Sequence, residues 1–141
     1  MDRIEDCLCF LLGKAHQRVT QEAKRRLASY GVTPVQYAVL KVLWEHNDQS
    51  GAELGERLQL DSASMTGVID RLEQAGLVTR QLDAKDRRIN RVVLSARGHA
   101  LHDPLDRVMD ETNLSFLSML PPEDAARFLP VLKRLVGIEI R

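Results

Sequence analysis

Basic side chains concentrate in one short segment of a chain whose total charge is zero. The 141 residues include 20 Lys plus Arg and 20 Asp plus Glu, whereas residues 79–99 carry six basic residues against two acidic ones, a net charge of +4. Guanidinium and ammonium groups bind phosphate oxygens, and a narrow nucleic-acid groove concentrates the negative potential that attracts them. This segment is therefore a candidate phosphate-binding element. Its basic residues are Arg80, Lys85, Arg87, Arg88, Arg91 and Arg97.

A second candidate surface lies on residues 62–75, where the apolar spacing predicts a helix. The face opposite the apolar stripe carries small or polar residues, among them Gly67, and it is flanked by Ser64, Thr66 and Arg71. Small residues let a backbone approach base edges, and hydroxyls or an arginine can bind bases and phosphates. A solvated helix face, with Arg71 in a surface ion pair, is the alternative interpretation of this stretch.

Other reactive side chains give weaker signals. Cys7 and Cys9 would point in different directions on a helix, so we expect no disulfide between them, and two unpaired cysteines suit a reducing cytosol. His99 and His102, with aspartates nearby, have a spacing more typical of a solvated helix start than of a metal site. Phosphate-binding glycine loops, nucleophile elbows and zinc-protease motifs are lacking. The sequence predicts no enzyme, metal or cofactor.

Composition narrows the class of protein further. Hydrophobic residues make up 44% and aromatic residues 4% of the chain, which predicts an ordinary, mainly helical core. Zero net charge argues against a protein that coats nucleic acid by bulk charge. The N-terminus is acidic where a signal peptide would be basic, and apolar runs stay below the roughly 18–20 residues that cross a bilayer. We therefore expect a cytoplasmic protein without a membrane partner.

Capping signals predict the helices that position these side chains. A long helix spans about Ile4 to Tyr30, and the Thr33–Gln36 capping box opens a second helix that ends near His46. The Ser50–Glu53 box and the cap Asp61 open two short helices spaced as a helix-turn-helix. The residues expected to face inward are Val35, Ala38, Val39, Val42 and Leu43 on the second helix and Met65, Val68, Ile69 and Leu72 on the last.

The spacing then changes to one typical of strands. Residues 77–82 and 91–95 predict a hairpin with a charged tip, and Ser95 caps a helix to about Leu120. A last helix follows Pro122, with a kink or an early end at Pro130. The predicted fold is mainly α with a small β-hairpin wing (α+β), a winged helix-turn-helix at 33–99 flanked by dimerisation helices at 1–32 and 100–141. The terminal helices have apolar stripes and no domain of their own to cover, which indicates a homodimer.

Residues 33–98 resemble the MarR family of bacterial transcriptional regulators. The matching segments are Thr33–Tyr37 with Leu40, Leu43 and Trp44, then Glu53-Leu54 with Leu58, Arg71–Arg80, Asp83–Arg88 and Leu94–Gly98. Residues Asp86–Arg88 match the family's D-x-R wing tip. The resemblance implies a homodimeric repressor on a palindromic operator, with half-sites about 10 base pairs apart. It places Arg88, beside Lys85 and Arg87, in the minor groove. Major-groove contacts would come from Ser62, Ser64, Thr66 and Arg71.

The resemblance also implies regulation by a small phenolic or aromatic ligand bound between the dimerisation helices and the winged domain. Candidate ligand residues are His16, Tyr37, Leu40 and Trp44, although Tyr37 and Trp44 also suit the core. Leu8-Cys9-Phe10 resembles the hydroperoxide-sensing branch of the family, which makes oxidation of Cys9 an alternative. That branch has tyrosines where this chain has Gly13 and Ala23. An alternative of a different class is a winged-helix protein–protein interaction module that binds acidic partners.

Overall fold

A computed structural model describes residues 1–139 and shows seven α-helices with a three-stranded antiparallel sheet in this part of the chain. The helices are α1 (Leu8–Leu27), α2 (Pro34–Glu45), α3 (Gly51–Leu58), α4 (Ser62–Gln74), α5 (Ala96–Ala100), α6 (His102–Leu117) and α7 (Pro122–Val136). The strands are β1 (Gln49–Ser50), β2 (Val78–Leu82) and β3 (Asn90–Leu94), in the spatial order β1-β3-β2. The predicted fold class is confirmed.

Side-chain caps start the helices of the winged domain where the sequence predicts. Complete capping boxes form at Thr33 with Gln36 and at Ser50 with Glu53, and Asp61 accepts the Ser64 backbone N–H at 2.7 Å. Ser95 accepts the Gly98 N–H at 3.0 Å and donates its hydroxyl to the Gly76 carbonyl at 2.7 Å. These caps satisfy backbone N–H groups that have no partner within the helix at its start. They therefore stabilise short helices that bury little apolar surface.

The core lies between α2, α3, α4 and the inner face of the sheet. Its fully buried members include Leu40 and Leu43 from α2, Leu54 from α3, and Leu72 from α4, and Leu105 from α6 joins them. Met65, Val68, Ile69 and Leu72 are buried as predicted, whereas Val35 is 37% exposed, so its expected inward position is wrong. Val35 lies in the first turn of α2, before the buried apolar stripe, which begins at Val39.

The structure corrects three other element boundaries and adds one strand. The N-terminal helix begins at Leu8 after a separate 3₁₀ turn at Ile4–Asp6, because Cys7 is extended. The helix after Ser95 is split at Leu101, since Pro104 has no N–H to donate to the Ala100 carbonyl. β1 was not predicted; its two residues pair with Val92 and Arg91 of β3. α7 continues through Pro130 to Val136 without the expected early end.

Residues 1–139 contain neither a membrane-spanning helix nor a metal-binding cluster of side chains. None of the helices there is long and apolar enough to span a bilayer. His, Cys, Asp and Glu side chains form no group of three that would hold a metal ion within the same range.

Candidate nucleic-acid interface

The outer face of α4 displays hydroxyl groups in fixed positions. Ser64 Oγ donates to Asp61 Oδ2 at 2.9 Å, and Thr66 Oγ1 donates to the Ser62 carbonyl at 2.9 Å. The N–H groups of the first turn lower the pKa of Asp61, the backbone donor of Ser64 most of all. The oxygens of Ser64 and Thr66 keep free acceptor positions, and both residues are exposed. This face can therefore meet donors on base edges.

Gly67 makes room for Arg71 on the same face. A Cβ atom at position 67 would lie 3.6 Å from Nη2 of Arg71, so the guanidinium lies over the glycine. Arg71 is exposed and Gly67 is partly buried, and Arg71 has no carboxylate within 4.0 Å among residues 1–139. A surface ion pair at Arg71, the alternative left open by the sequence, is thus not formed in this part of the chain. The guanidinium is available to a phosphate or a guanine.

The tip of the wing is a compact turn built on two aspartates. Asp83 Oδ1 accepts the backbone N–H groups of Lys85 at 2.8 Å and Asp86 at 3.1 Å. Asp86 accepts the backbone N–H and Nε of Arg88, both at 3.0 Å, and Nη2 of Arg88 at 2.9 Å. The Arg88 bond is also the main cause that lowers the pKa of Asp86. The side chain of Arg88 is nevertheless 90% exposed, so Asp86 orients the guanidinium and leaves it accessible.

Wing and α4 share one cleft. Thr66 and Ile69 of α4 line a cavity of about 380 Å³ together with Arg88 and Ile89 of the wing. Lys85 and Arg87 are exposed at the tip and have no carboxylate partner within residues 1–139. The structure therefore brings Thr66 of the predicted helix and Arg88 of the predicted tip to the lining of one groove.

Two of the six basic residues of the wing segment form ion pairs with acids outside that segment. Arg80 Nη2 contacts Asp70 Oδ1 at 2.6 Å, and its Nη1 contacts Glu73 Oε1 at 3.0 Å, which joins β2 to α4. Arg91 of β3 donates Nε to Asp48 Oδ1 at 3.0 Å. The net charge of +4 therefore overstates the charge that the wing offers to a partner.

A polar cluster joins α2 to α6 at the border of the winged domain. Asp106 accepts the Tyr37 hydroxyl at 2.8 Å and Lys41 Nζ at 2.7 Å, and His102 Nε2 lies 3.2 Å from the same carboxylate. The ring of His102 stacks on Trp44 at 4.7 Å between centroids, and Trp44 Nε1 donates to the Gly98 carbonyl at 3.0 Å. We call Tyr37, Lys41, Trp44, His102 and Asp106 the α2–α6 cluster.

The cluster shifts two pKa values in opposite directions. Partial burial, reinforced by the neighbouring Asp106 carboxylate, raises the pKa of Tyr37 far above its ordinary value. Burial works against ionisation of Asp106, but the hydrogen bonds from Lys41 and Tyr37 outweigh it and lower the pKa of Asp106. Asp106 is therefore a carboxylate at neutral pH and Tyr37 a neutral phenol, which makes Tyr37 a donor within the cluster.

Three of the four predicted ligand residues lie on α2 and pack in or against the core, whereas His16 lies on α1. Tyr37 and Trp44 are half-buried and stand edge to face at 6.0 Å, so they share the α2–α6 cluster. Leu40 is fully buried in the core, and His16 is exposed on α1, outside the hydrogen bonds of the cluster. Cys9, the predicted redox residue, is exposed in the first turn of α1, and Cys7 is half-buried.

The terminal helices carry an apolar surface that nothing in the described chain covers. None of the residues of α7 is buried, and α1 buries only Ala23 and Leu27 near its end. The exposed apolar side chains of these helices include Leu8, Leu11, Leu12, Val19, Phe128, Leu129, Val131, Leu135 and Val136. Large contiguous apolar surfaces on a protein of this size mark an interface.

Sequence reasoning missed the partners that hold the predicted residues. Nothing in the spacing links Asp106 to Tyr37 and Lys41, which lie 69 and 65 residues before it in the chain. The same holds for Asp48, which contacts Arg91 from 43 residues away.

Comparisons with known proteins agree with this geometry. The MarR family model matches residues 32–89. The organic hydroperoxide resistance transcriptional regulator of Bacillus subtilis is 36% identical over 101 residues, which is 72% of this chain and 69% of that protein. A probable transcriptional regulator from Pseudomonas aeruginosa has a TM-score of 0.89 at 31% identity, covering 94% of this chain and 99% of that one. Reduced AbfR bound to DNA has a TM-score of 0.77 at 27% identity, covering 96% and 93%. The resemblance predicted from the sequence is confirmed: the chain belongs to the MarR family of transcriptional regulators.

Proposed function

We propose that the chain is a homodimeric, sequence-specific DNA-binding repressor that a small organic ligand releases from a palindromic operator. The observation that carries this proposal is the cleft that Thr66 of α4 and Arg88 of the wing line together. Such a pair of elements fits a helix in the major groove and a hairpin in the adjacent minor groove. The relative AbfR has been solved bound to DNA, at 27% identity to this chain.

The wing and α4 make different kinds of contact with DNA. Arg88 is fixed by Asp86 and exposed, which suits insertion into a narrow minor groove, and Lys85 and Arg87 provide phosphate contacts beside it. Ser62, Ser64, Thr66 and Arg71 contact the major groove and its phosphates. Residues 33–99 form the DNA-binding domain. Segments 1–32 and 100–141 dimerise through the apolar faces of α1 and α7. Residues 140–141 of that last segment lie outside the described part of the chain.

The α2–α6 cluster is the proposed place of effector action. α2 belongs to the winged domain and α6 to the dimerisation region, so a ligand that contacts Tyr37 and Trp44 changes the link between the two. A ligand shifts the equilibrium only as far as it binds one arrangement better than the other. Aromatic side chains with a phenol donor and Lys41 favour a phenolic or aromatic acid. His16 and Leu40 are the weaker candidates, because one lies on α1 and the other is buried.

A salt titration against DNA tests the proposal. We expect the affinity for a labelled duplex from upstream of the chain's own coding sequence to fall steeply with salt, with a log–log slope of roughly −0.9 per phosphate neutralised. Arg88→Ala removes one contact per protomer and lowers the slope by about 2 per dimer. Arg107→Ala on α6, with the same loss of charge, is the matched control and leaves the slope unchanged. A wild-type protein without salt-dependent affinity contradicts the proposal.

Oxidation of Cys9 is a second candidate for the release signal. Its exposure in the first turn of α1 favours it, as does the 36% identity with a Bacillus subtilis regulator of organic hydroperoxide resistance. Peroxide should then abolish DNA binding by the wild type and not by Cys9→Ser. Equal sensitivity of the two proteins excludes Cys9 as the sensor.

A protein–protein interaction module is the alternative of a different class. It predicts salt-sensitive binding to an acidic protein and none to duplex DNA, so the same titration separates the classes. A repressor of this kind needs no enzymatic activity, metal or cofactor, and it acts in the cytoplasm, where a bacterial chromosome lies.

A further inference from the structure

Arg91 of β3 contacts acids from three separate parts of the winged domain. Nε lies 3.0 Å from Asp48 Oδ1, and a second guanidinium nitrogen donates to the Asp48 carbonyl. Nη2 lies 3.9 Å from Glu53 in the first turn of α3, and Nη1 lies 3.7 Å from Asp83 Oδ2 at the base of the wing tip. The side chain is only 26% exposed, unlike that of Arg88.

The register of the sheet explains why Arg91 reaches these acids. Arg80 pairs with the buried Val92, so both face α4, while Arg91 pairs with Gln81 on the opposite face. β1 then places Ser50, the N-cap of α3, directly beside Arg91. The hairpin is held to the helix-turn-helix on both faces, by Arg80 on one and by Arg91 on the other.

The link from Arg91 continues into the wing tip. Asp83 faces Arg91 with one carboxylate oxygen and accepts the N–H groups of Lys85 and Asp86 with the other. Those two N–H groups shape the turn that carries Arg88. Asp48 has a positive φ of 61°, which aspartate tolerates, and its neighbour Asn47 accepts the backbone N–H of Leu94 at 3.0 Å. The anchor for Arg91 is therefore itself tied to β3.

We propose that Arg91 is a positioning residue, which sets the wing tip for DNA by bridging Asp48 and Glu53 to Asp83. The inference rests on the proposed DNA-binding function. A planar guanidinium suits this role because its fixed fork can contact several carboxylates at once, which an ammonium group does less well. Arg91 itself need not touch DNA, since its donors are directed at acids of the protein.

Asp48→Asn distinguishes this role from a direct contact, because the two predict opposite signs. Removal of a carboxylate beside DNA strengthens binding if charge alone matters. If Arg91 positions the wing, Asp48→Asn weakens binding to the upstream duplex and lowers the salt slope by about 2 per dimer, as Arg91→Gln does. Asparagine accepts a positive φ, so the change removes the charge and keeps the turn. Glu56→Gln on α3, exposed and without an ion pair in residues 1–139, is the matched control and binds equally or more tightly.

A second readout does not need DNA. Amide hydrogen exchange at Lys85, Asp86 and Arg88 in the free protein becomes at least about tenfold faster in Asp48→Asn and Arg91→Gln, and stays at the wild-type rate in Glu56→Gln. Unchanged exchange, or tighter DNA binding by Asp48→Asn, overturns the inference. A wild type that fails to bind DNA overturns the proposed function instead, and the exchange result still decides whether Arg91 orders the wing tip.

Discussion

Gly98 is the position at which a single added methyl group should be most harmful. A Cβ atom there would lie 2.2 Å from the Leu77 carbonyl oxygen and 3.1 Å from Leu94 Cδ2. The oxygen belongs to the backbone between α4 and β2 and already accepts the Ser95 N–H at 3.0 Å. Because the obstacle is backbone and not the end of a flexible side chain, Gly98→Ala must displace α5 from the sheet.

Three contributions determine how much Gly98→Ala changes the free energy of unfolding. Overpacking costs about 1–3 kcal/mol, here at the upper end, and a weakened Ser95 hydrogen bond adds about 1 kcal/mol. The better helix propensity of alanine returns about 1 kcal/mol. We therefore expect Gly98→Ala to lower the free energy of unfolding by about 2–3 kcal/mol, and the Tm by roughly 6–9 °C at constant protomer concentration.

Urea and thermal unfolding followed by circular dichroism measure this effect, with Gly67→Ala as the control. The methyl group of Gly67→Ala meets only the end of the Arg71 side chain at 3.6 Å, so this variant should gain about 0.5–1 kcal/mol from helix propensity. If Gly98→Ala is as stable as Gly67→Ala, then α5 does not lie as close to the Leu77 carbonyl as the structure shows.

Three further changes test other parts of the fold. Asp61→Ala removes the cap of α4 and should cost about 1 kcal/mol in urea unfolding, whereas a neutral result would mean that the cap contributes nothing. Asp106 has a lowered pKa, so its contribution is present above the unfolded-state value of about 3.9 and is lost as the pH falls through the folded value. The stability of the wild type should therefore fall more than that of Asp106→Asn between pH 5 and pH 3, and parallel curves would refute this. Leu135→Glu places a charge on the exposed face of α7 and should give monomers in analytical ultracentrifugation, and an intact dimer would contradict the assigned interface.

The winged domain was largely predictable because its signals are local. Capping residues and glycines mark helix ends within a few positions, and Gly31 and Gly76 adopt the positive φ that such ends need. The wing tip carries its own turn-forming aspartates. The residues proposed to contact DNA follow from these elements, because a buried stripe on α4 leaves the opposite face outward.

The remaining features depend on contacts between distant residues. β1 has only two residues and exists because Gln49 pairs with Val92 of β3. Two partners of Asp106, Lys41 and Tyr37, lie 65 and 69 residues away, and no periodicity predicts such a pairing. The net charge counted over the basic segment overstates the charge available to a partner for the same reason. A charge count does not reveal that Arg80 and Arg91 are turned toward acids of the protein.

Hydroxyl-radical footprinting on the chain's own upstream DNA tests the central claim most directly. A homodimer that reads the major groove with α4 and the minor groove with Arg88 should protect a two-fold symmetric site. The two halves should be centred about 10 base pairs apart, with flanking minor-groove protection that Arg88→Ala removes. A single asymmetric patch, or no protection at a concentration at which the protein is dimeric, would contradict the account.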